Sequence, residues 1–176
     1  MKKSSQYTEN DISELTSDIQ LTHYQIYDTL SIDRTQSEKV IIIKLSIQSK
    51  RKEVLAFLAE LKKILEDKEF SVDNDLTIIR SKKAKGKEIY STPYTLLDLD
   101  YDSKDIVDRL KELSIKEYSE TLVDVDDLKP PILFVFGKDI HDKLVYIKLK
   151  IKGDQPRHVL CVSFHYAEQS MIFPFA

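Results

Sequence analysis

Residues 131–176, PILFVFGKDIHDKLVYIKLKIKGDQPRHVLCVSFHYAEQSMIFPFA, decide the fold. Three strand-like runs follow one another, joined by two short polar connections, Lys138–Lys143 and Lys152–Arg157. From Leu144 to Lys152 apolar and polar side chains alternate: Val145, Ile147, Leu149 and Ile151 against Tyr146, Lys148 and Lys150. Successive side chains on a strand point to opposite faces, so this pattern predicts one buried face and one wet, basic, aromatic face. In the next run Leu160, Val162 and Phe164 are expected in the core. Cys161, Ser163 and His165 are then expected beside Tyr146 and Lys148. A sheet face with Tyr, Lys, Ser and His suits phosphate chemistry.

Outward from this stretch, Pro130-Pro131 breaks the chain, and Tyr118–Asp127 reads as a mixed strand ending in acidic turn residues. A helical region precedes it, Thr95–Leu99 and then Ser103–Ser114, with Ser103 as cap and Ile106, Val107, Leu110 and Leu113 on the apolar side. SKKAKGKE puts Lys82, Lys83, Lys85 and Lys87 around Gly86, the densest positive charge in the chain; such a run is either a solvated loop or a contact for a phosphate backbone. Asp75–Arg80 predicts a short strand. Lys50–Phe70 predicts an amphipathic helix whose stripe is Val54, Leu55, Leu58, Leu61 and Leu65, flanked by Phe57 and Ile64.

Residues 1–50 form an N-terminal extension. Thr8–Gln20 has Ile12, Leu15 and Ile19 at helical spacing, Val40–Ile47 is rich in β-branched residues, and His23, Tyr24 and Tyr27 suggest a packed surface turn. The predicted fold class is α+β: an antiparallel sheet of about four to six strands, with two main helices packed on one face.

Composition limits the function classes. With 176 residues the chain can bury a substantial core, and a net charge of -3 confines any nucleic-acid surface to a local patch. A lone cysteine, Cys161, rules out an internal disulfide and suits a reducing cytosol. The three glycines include no cluster of the kind that cradles a nucleotide phosphate. MKKSSQYTEN carries no apolar stretch after its charged pair, and no run approaches the roughly 20 apolar residues of a membrane helix. A cytoplasmic protein with no membrane partner and no cofactor is expected.

The strings TLLDLDYDSKDIVDRLKEL, YSET, FVFGKDI, VYIKLKI and CVSFHYAE, in that order over residues 51–176, resemble the MqsR family of toxin–antitoxin toxins, which are similar in fold to RelE-type small ribonucleases. The resemblance implies a metal-independent messenger-RNA endoribonuclease held silent by a cognate antitoxin. It sets Tyr146 and Lys148 at the family's Tyr-x-Lys pair and His165 where better-known members carry a lysine. Ser119 departs from a functional lysine, and a glutamine is replaced within Phe134–Phe136.

Metal-free RNA cleavage needs a base for the 2′-hydroxyl, cations for the phosphorane and an acid for the leaving 5′-oxygen. His165 is the expected base or acid, because imidazole titrates near neutrality, with Lys148 as the phosphate cation and Tyr146 as hydrogen-bond donor or stacking ring. Lys150, Lys138, Tyr118, Lys82, Lys83 and Lys85 complete the expected substrate-binding set. His158 and His141 read as a local hydrogen-bonding residue and an exposed turn residue. Ile172–Phe175 reads as either a cover over the core edge or an apolar patch for a partner.

Two rival readings use other residues. Asp98, Asp100, Asp102 and Asp105, or Asp124, Asp126 and Asp127, are the acidic sets a metal-dependent nuclease would need. Alternatively the sheet face belongs to a non-catalytic module that binds protein or RNA.

Overall fold

The computed structural model describes residues 24–26, 45–122, 132–153 and 157–176. The expected helix Thr8–Gln20, residues His23 and Tyr27, the first part of Val40–Ile47, the acidic residues Asp124, Asp126 and Asp127, and Pro130-Pro131 lie outside them. So do residues 154–156 of the second connection. The chain divides into two units, 1–47 and 48–176. In the first, β1 (Tyr24–Ile26) pairs antiparallel with β2 (Leu45–Ile47), Tyr24 opposite Ile47. Tyr24 therefore sits in a strand rather than the expected surface turn.

The second unit is a five-stranded sheet in the order β4-β5-β6-β7-β3. Its centre is the antiparallel meander of β4 (Tyr118–Leu122), β5 (Leu133–Ile140), β6 (Lys143–Lys152) and β7 (His158–Tyr166). The short strand β3 (Leu76–Ile78) adds to β7 in parallel, Leu76 opposite Val159. The architecture is α+β with a mostly antiparallel sheet, as the alternation of polar and apolar residues implied. Among the described residues no helix is long and apolar enough to cross a membrane.

Two local features set the register. β5 runs on through Lys138 and Asp139, and the turn is only His141-Asp142, both at positive φ (50° and 61°). A two-residue turn with left-handed backbone at both positions matches the twist of the strands it joins. In β7, Lys148 lies opposite Ser163 while Leu149 lies opposite Cys161, so Val162 is an extra, bulged residue. A bulge shifts alternation by one. Cys161 and Val159 consequently enter the main core, fully buried, whereas Val162 packs on the opposite face; both outcomes reverse the expectation from strict alternation.

Helices α1 (Arg51–Leu65) and α4 (Ser103–Lys111) pack on the face that carries Phe134, Phe136, Val145, Ile147 and Leu149. α1 opens with the Glu53 carboxylate accepting the Lys50 N–H at 2.8 Å, and Lys62 and Lys63 lie in its last turn, where the helix dipole favours cations. Its buried stripe is Val54, Phe57, Leu61 and Leu65. Leu55, expected in that stripe, is exposed. Phe57 stacks on Phe134 with ring centroids 4.1 Å apart, fixing the helix over the middle of the sheet. α4 is capped by Asp102 rather than Ser103, its carboxylate accepting the N–H groups of Lys104 and Asp105. A four-residue helix, α2 (Val72–Asp75), leads into β3.

Helix α3 (Thr92–Leu99) fastens to the free edge of β7 beyond β3. The Phe164 N–H donates to the Thr92 hydroxyl at 3.4 Å and the Tyr166 N–H to the Thr95 hydroxyl at 3.0 Å. Two threonines one helical turn apart thus do for this edge what a further strand would do. His165 lies between the two anchored amides.

Candidate functional site

The sheet face away from α1 and α4 carries the cross-strand rows that matter. Gly137 lies opposite Tyr146, and Tyr146 opposite His165; one pleat along, Glu120 lies opposite Val135, Val135 opposite Lys148, and Lys148 opposite Ser163. Directly opposed side chains share a face and touch. Tyr146 and His165 do so as a stack, ring centroids 5.2 Å apart and planes 16° from parallel. The structure therefore brings together the three residues expected to carry chemistry: Tyr146, Lys148 and His165.

The His165 ring is oriented by its own neighbour, Nδ1 lying 2.9 Å from the Tyr166 carbonyl oxygen. A carbonyl only accepts, so Nδ1 carries the proton and Nε2 carries the lone pair in the neutral ring. Burial holds the imidazole pKa below its ordinary value. The Tyr166 carbonyl opposes that shift, the nearby Lys83 and Lys148 charges reinforce it, and Glu168 opposes it. His165 is accordingly neutral at neutral pH, with Nε2 ready to accept a proton. Burial, with a smaller contribution from Glu120, pushes the Tyr146 phenol upward, so it keeps its proton throughout the physiological range.

The loop from Ser81 to Lys87 is exposed along its length and turns at Gly86, whose φ of 87° favours glycine. Lys83 is near enough to act on the charge of His165. Lys87 donates to Glu168, just past the end of β7. Lys82, Lys83 and Lys85 thus belong to an exposed cationic loop whose Lys83 and Lys87 lie near the end of β7.

Three expected substrate-binding residues are buried or turned to the helix-packed face. Tyr118 is fully buried, its hydroxyl accepting the Ser49 N–H and bonding Thr121 Oγ1, both at 2.9 Å. Lys138 lies opposite Val145 on the helix-packed face, where its ammonium meets Glu117 at 2.9 Å and Glu112 at 3.5 Å. Lys150 keeps the expected parity but is 1% exposed, so it is a buried residue and not a solvent-facing cation. Phe134, within the segment where the resemblance replaces a glutamine, belongs to the core stack on Phe57.

The remaining histidines have local partners. His158 bonds Thr77 Oγ1 at 2.7 Å and the Asn74 carbonyl at 3.1 Å, and His141 is an exposed turn residue. The acidic set at 98–105 is divided between two tasks. Asp98 accepts from Lys143 and from the Tyr166 hydroxyl, both at 2.6 Å, while Asp102 and Asp105 cap α4. Among the described residues no group of three or more His, Cys, Asp or Glu converges as a metal site.

Sequence reading missed Glu120, Glu168 and Gly137. Glu168 follows His165 by three residues, a proximity visible in sequence, but its pairing with Lys87 joins segments 81 residues apart. Gly137 admits the C-terminal tail: a Cβ there would fall 2.8 Å from Met171 Sδ and 2.8 Å from the Phe173 ring. Of the two readings of the tail, the cover describes Phe175, which stacks on Tyr118, whereas Ile172 stays exposed. No family model, curated protein or solved structure matches the chain.

Proposed function

We propose that this protein is a metal-independent endoribonuclease acting on messenger RNA, the toxin of a type II toxin–antitoxin pair, working in the cytoplasm and restrained by a cognate antitoxin. The fold proposed for residues 51–176 is RelE-like: helices on one face of an antiparallel sheet and the reactive residues on the other. The observation that carries the chemistry is the His165 ring, stacked on Tyr146 with Nδ1 engaged by the Tyr166 carbonyl.

In this mechanism His165 Nε2 takes the proton from a ribose 2′-hydroxyl, and the 2′-oxygen forms a bond to the adjacent phosphorus. The bond from phosphorus to the 5′-oxygen breaks. The leaving oxygen takes a proton from the Tyr146 phenol, which stays protonated at neutral pH. Lys148 and Lys83, the cations that act on His165, offset the charge that builds on the phosphorane. The products are a 2′,3′-cyclic phosphate and a 5′-hydroxyl. Lys82 and Lys85 contact flanking phosphates.

One general acid–base group contributes about 10²–10⁴-fold. His165→Ala is expected to lower cleavage of single-stranded RNA by that order, with the denaturation midpoint little changed and cleavage by the parent protein surviving EDTA. RNA left uncut by the parent protein, or cut equally by the variant, removes this reading. Uncut RNA together with growth unaffected by expression in bacteria would instead support the non-catalytic binding module.

A further inference from the structure

The Glu168 carboxylate has an uncommon set of neighbours for a surface acid. Lys87 Nζ donates to it, and Lys83 and His165 lie within electrostatic range of it. These four groups come from two segments that meet here, the exposed loop 81–87 and the exit of β7. The 3₁₀ turn Glu88–Tyr90, immediately after the loop, packs against β7 and holds the loop's end in place. Two ammonium groups beside one anion are the recognition elements of a phosphate, and His165 lies at their edge.

We propose that Lys83 and Lys87, beside His165, form a phosphate subsite whose place is held, in the free protein, by the Glu168 carboxylate. The ligand class is a phosphodiester of a single-stranded nucleic acid, and the phosphate would displace Glu168 from Lys87. An exposed lysine–carboxylate pair is held only weakly against water, so the exchange is accessible. The identity of the ligand rests on the ribonuclease reading, whereas the exchange itself requires only that an anion compete with Glu168.

Opposite signs in two single variants test this. The probe is a short single-stranded 2′-deoxyoligonucleotide, which binds but lacks the 2′-hydroxyl needed for cleavage. At low salt Glu168→Gln is expected to tighten binding about two- to fivefold, and Lys87→Gln to weaken it by a similar factor. A pair that merely fastened the loop would make both variants bind more weakly. Unchanged or weaker binding by Glu168→Gln therefore overturns the proposal.

Inorganic phosphate supplies an independent readout, since its entry should move the His165 ring resonances further in Glu168→Gln than in the parent. Absence of binding of both probes by both proteins also overturns it. A parent protein that leaves RNA intact yet shows the two opposed shifts would lose the ribonuclease reading and keep the subsite.

Discussion

Tyr146 and His165 stand directly opposite each other on β6 and β7, and their rings lie 16° from parallel. Burial holds the imidazole neutral at neutral pH and keeps the phenol protonated. Desolvation thus disfavours the charged form of both adjacent side chains, lowering the one pKa and raising the other.

The direction of the His165 shift has consequences for pH. As a base with its pKa below the ordinary 6.5, His165 should make cleavage rise with pH through a midpoint under that value and level off at neutrality. Stability follows the same window. Below 6.5 the unfolded chain binds a proton that the folded chain does not yet bind, so stability is fully present above 6.5 and declines as pH falls toward the folded pKa. Urea midpoints at pH 7.5 and 5.5 should therefore fall further for the parent protein than for His165→Gln. Equal falls would contradict the shift.

Tyr118 distinguishes structure from binding. Its hydroxyl bonds Ser49 and Thr121 inside the core. Tyr118→Phe should cost about 1–3 kcal/mol in urea denaturation, because it leaves buried polar partners short of a bond. Oligonucleotide affinity should stay at the parent value; a loss of affinity with stability retained would restore Tyr118 to the binding surface.

At Gly137 the tail, through Met171 and Phe173, lies where a Cβ would be. Gly137→Ala forces Met171 and Phe173 away from the strand, with an expected cost of about 1–3 kcal/mol. Adding Phe173→Ala should make the Gly137→Ala step cheaper, a coupling that a double-mutant cycle in urea measures. Strict additivity would show that the tail does not rest there.

Cys161 is buried in the main core, where burial pushes its thiol up to about 12. The thiolate is the reactive species, so Ellman's reagent at pH 8 should leave the folded protein unmodified and label it only as urea unfolds it. Fast labelling without denaturant would place Cys161 on the outer face after all.

The residues themselves determined the α+β class and the Tyr146–Lys148–His165 face. Alternation over Val145–Ile151 is a local property that any half-buried strand must satisfy, and the β6 register carries Tyr146 and Lys148 outward without help. His165 came out on the same face although strict alternation misassigned Leu160, Cys161 and Val162 in its strand. Ser163, Phe164 and His165 lie beyond the bulge at Val162, and their parity is undisturbed by it.

Tertiary structure alone decided the rest. A bulge is a choice of pairing between strands, and no side chain at Val162 announces it. Lys138 turned to the helices because the hairpin closes in two residues and sets Lys138 opposite Val145. Tyr118 went inside because Ser49 and Thr121 satisfy its hydroxyl there, and Lys87 found Glu168 only through the docking of a loop onto the end of β7. Side-chain alternation is written along one strand, whereas register, burial and ion pairing are relations between segments distant in the chain.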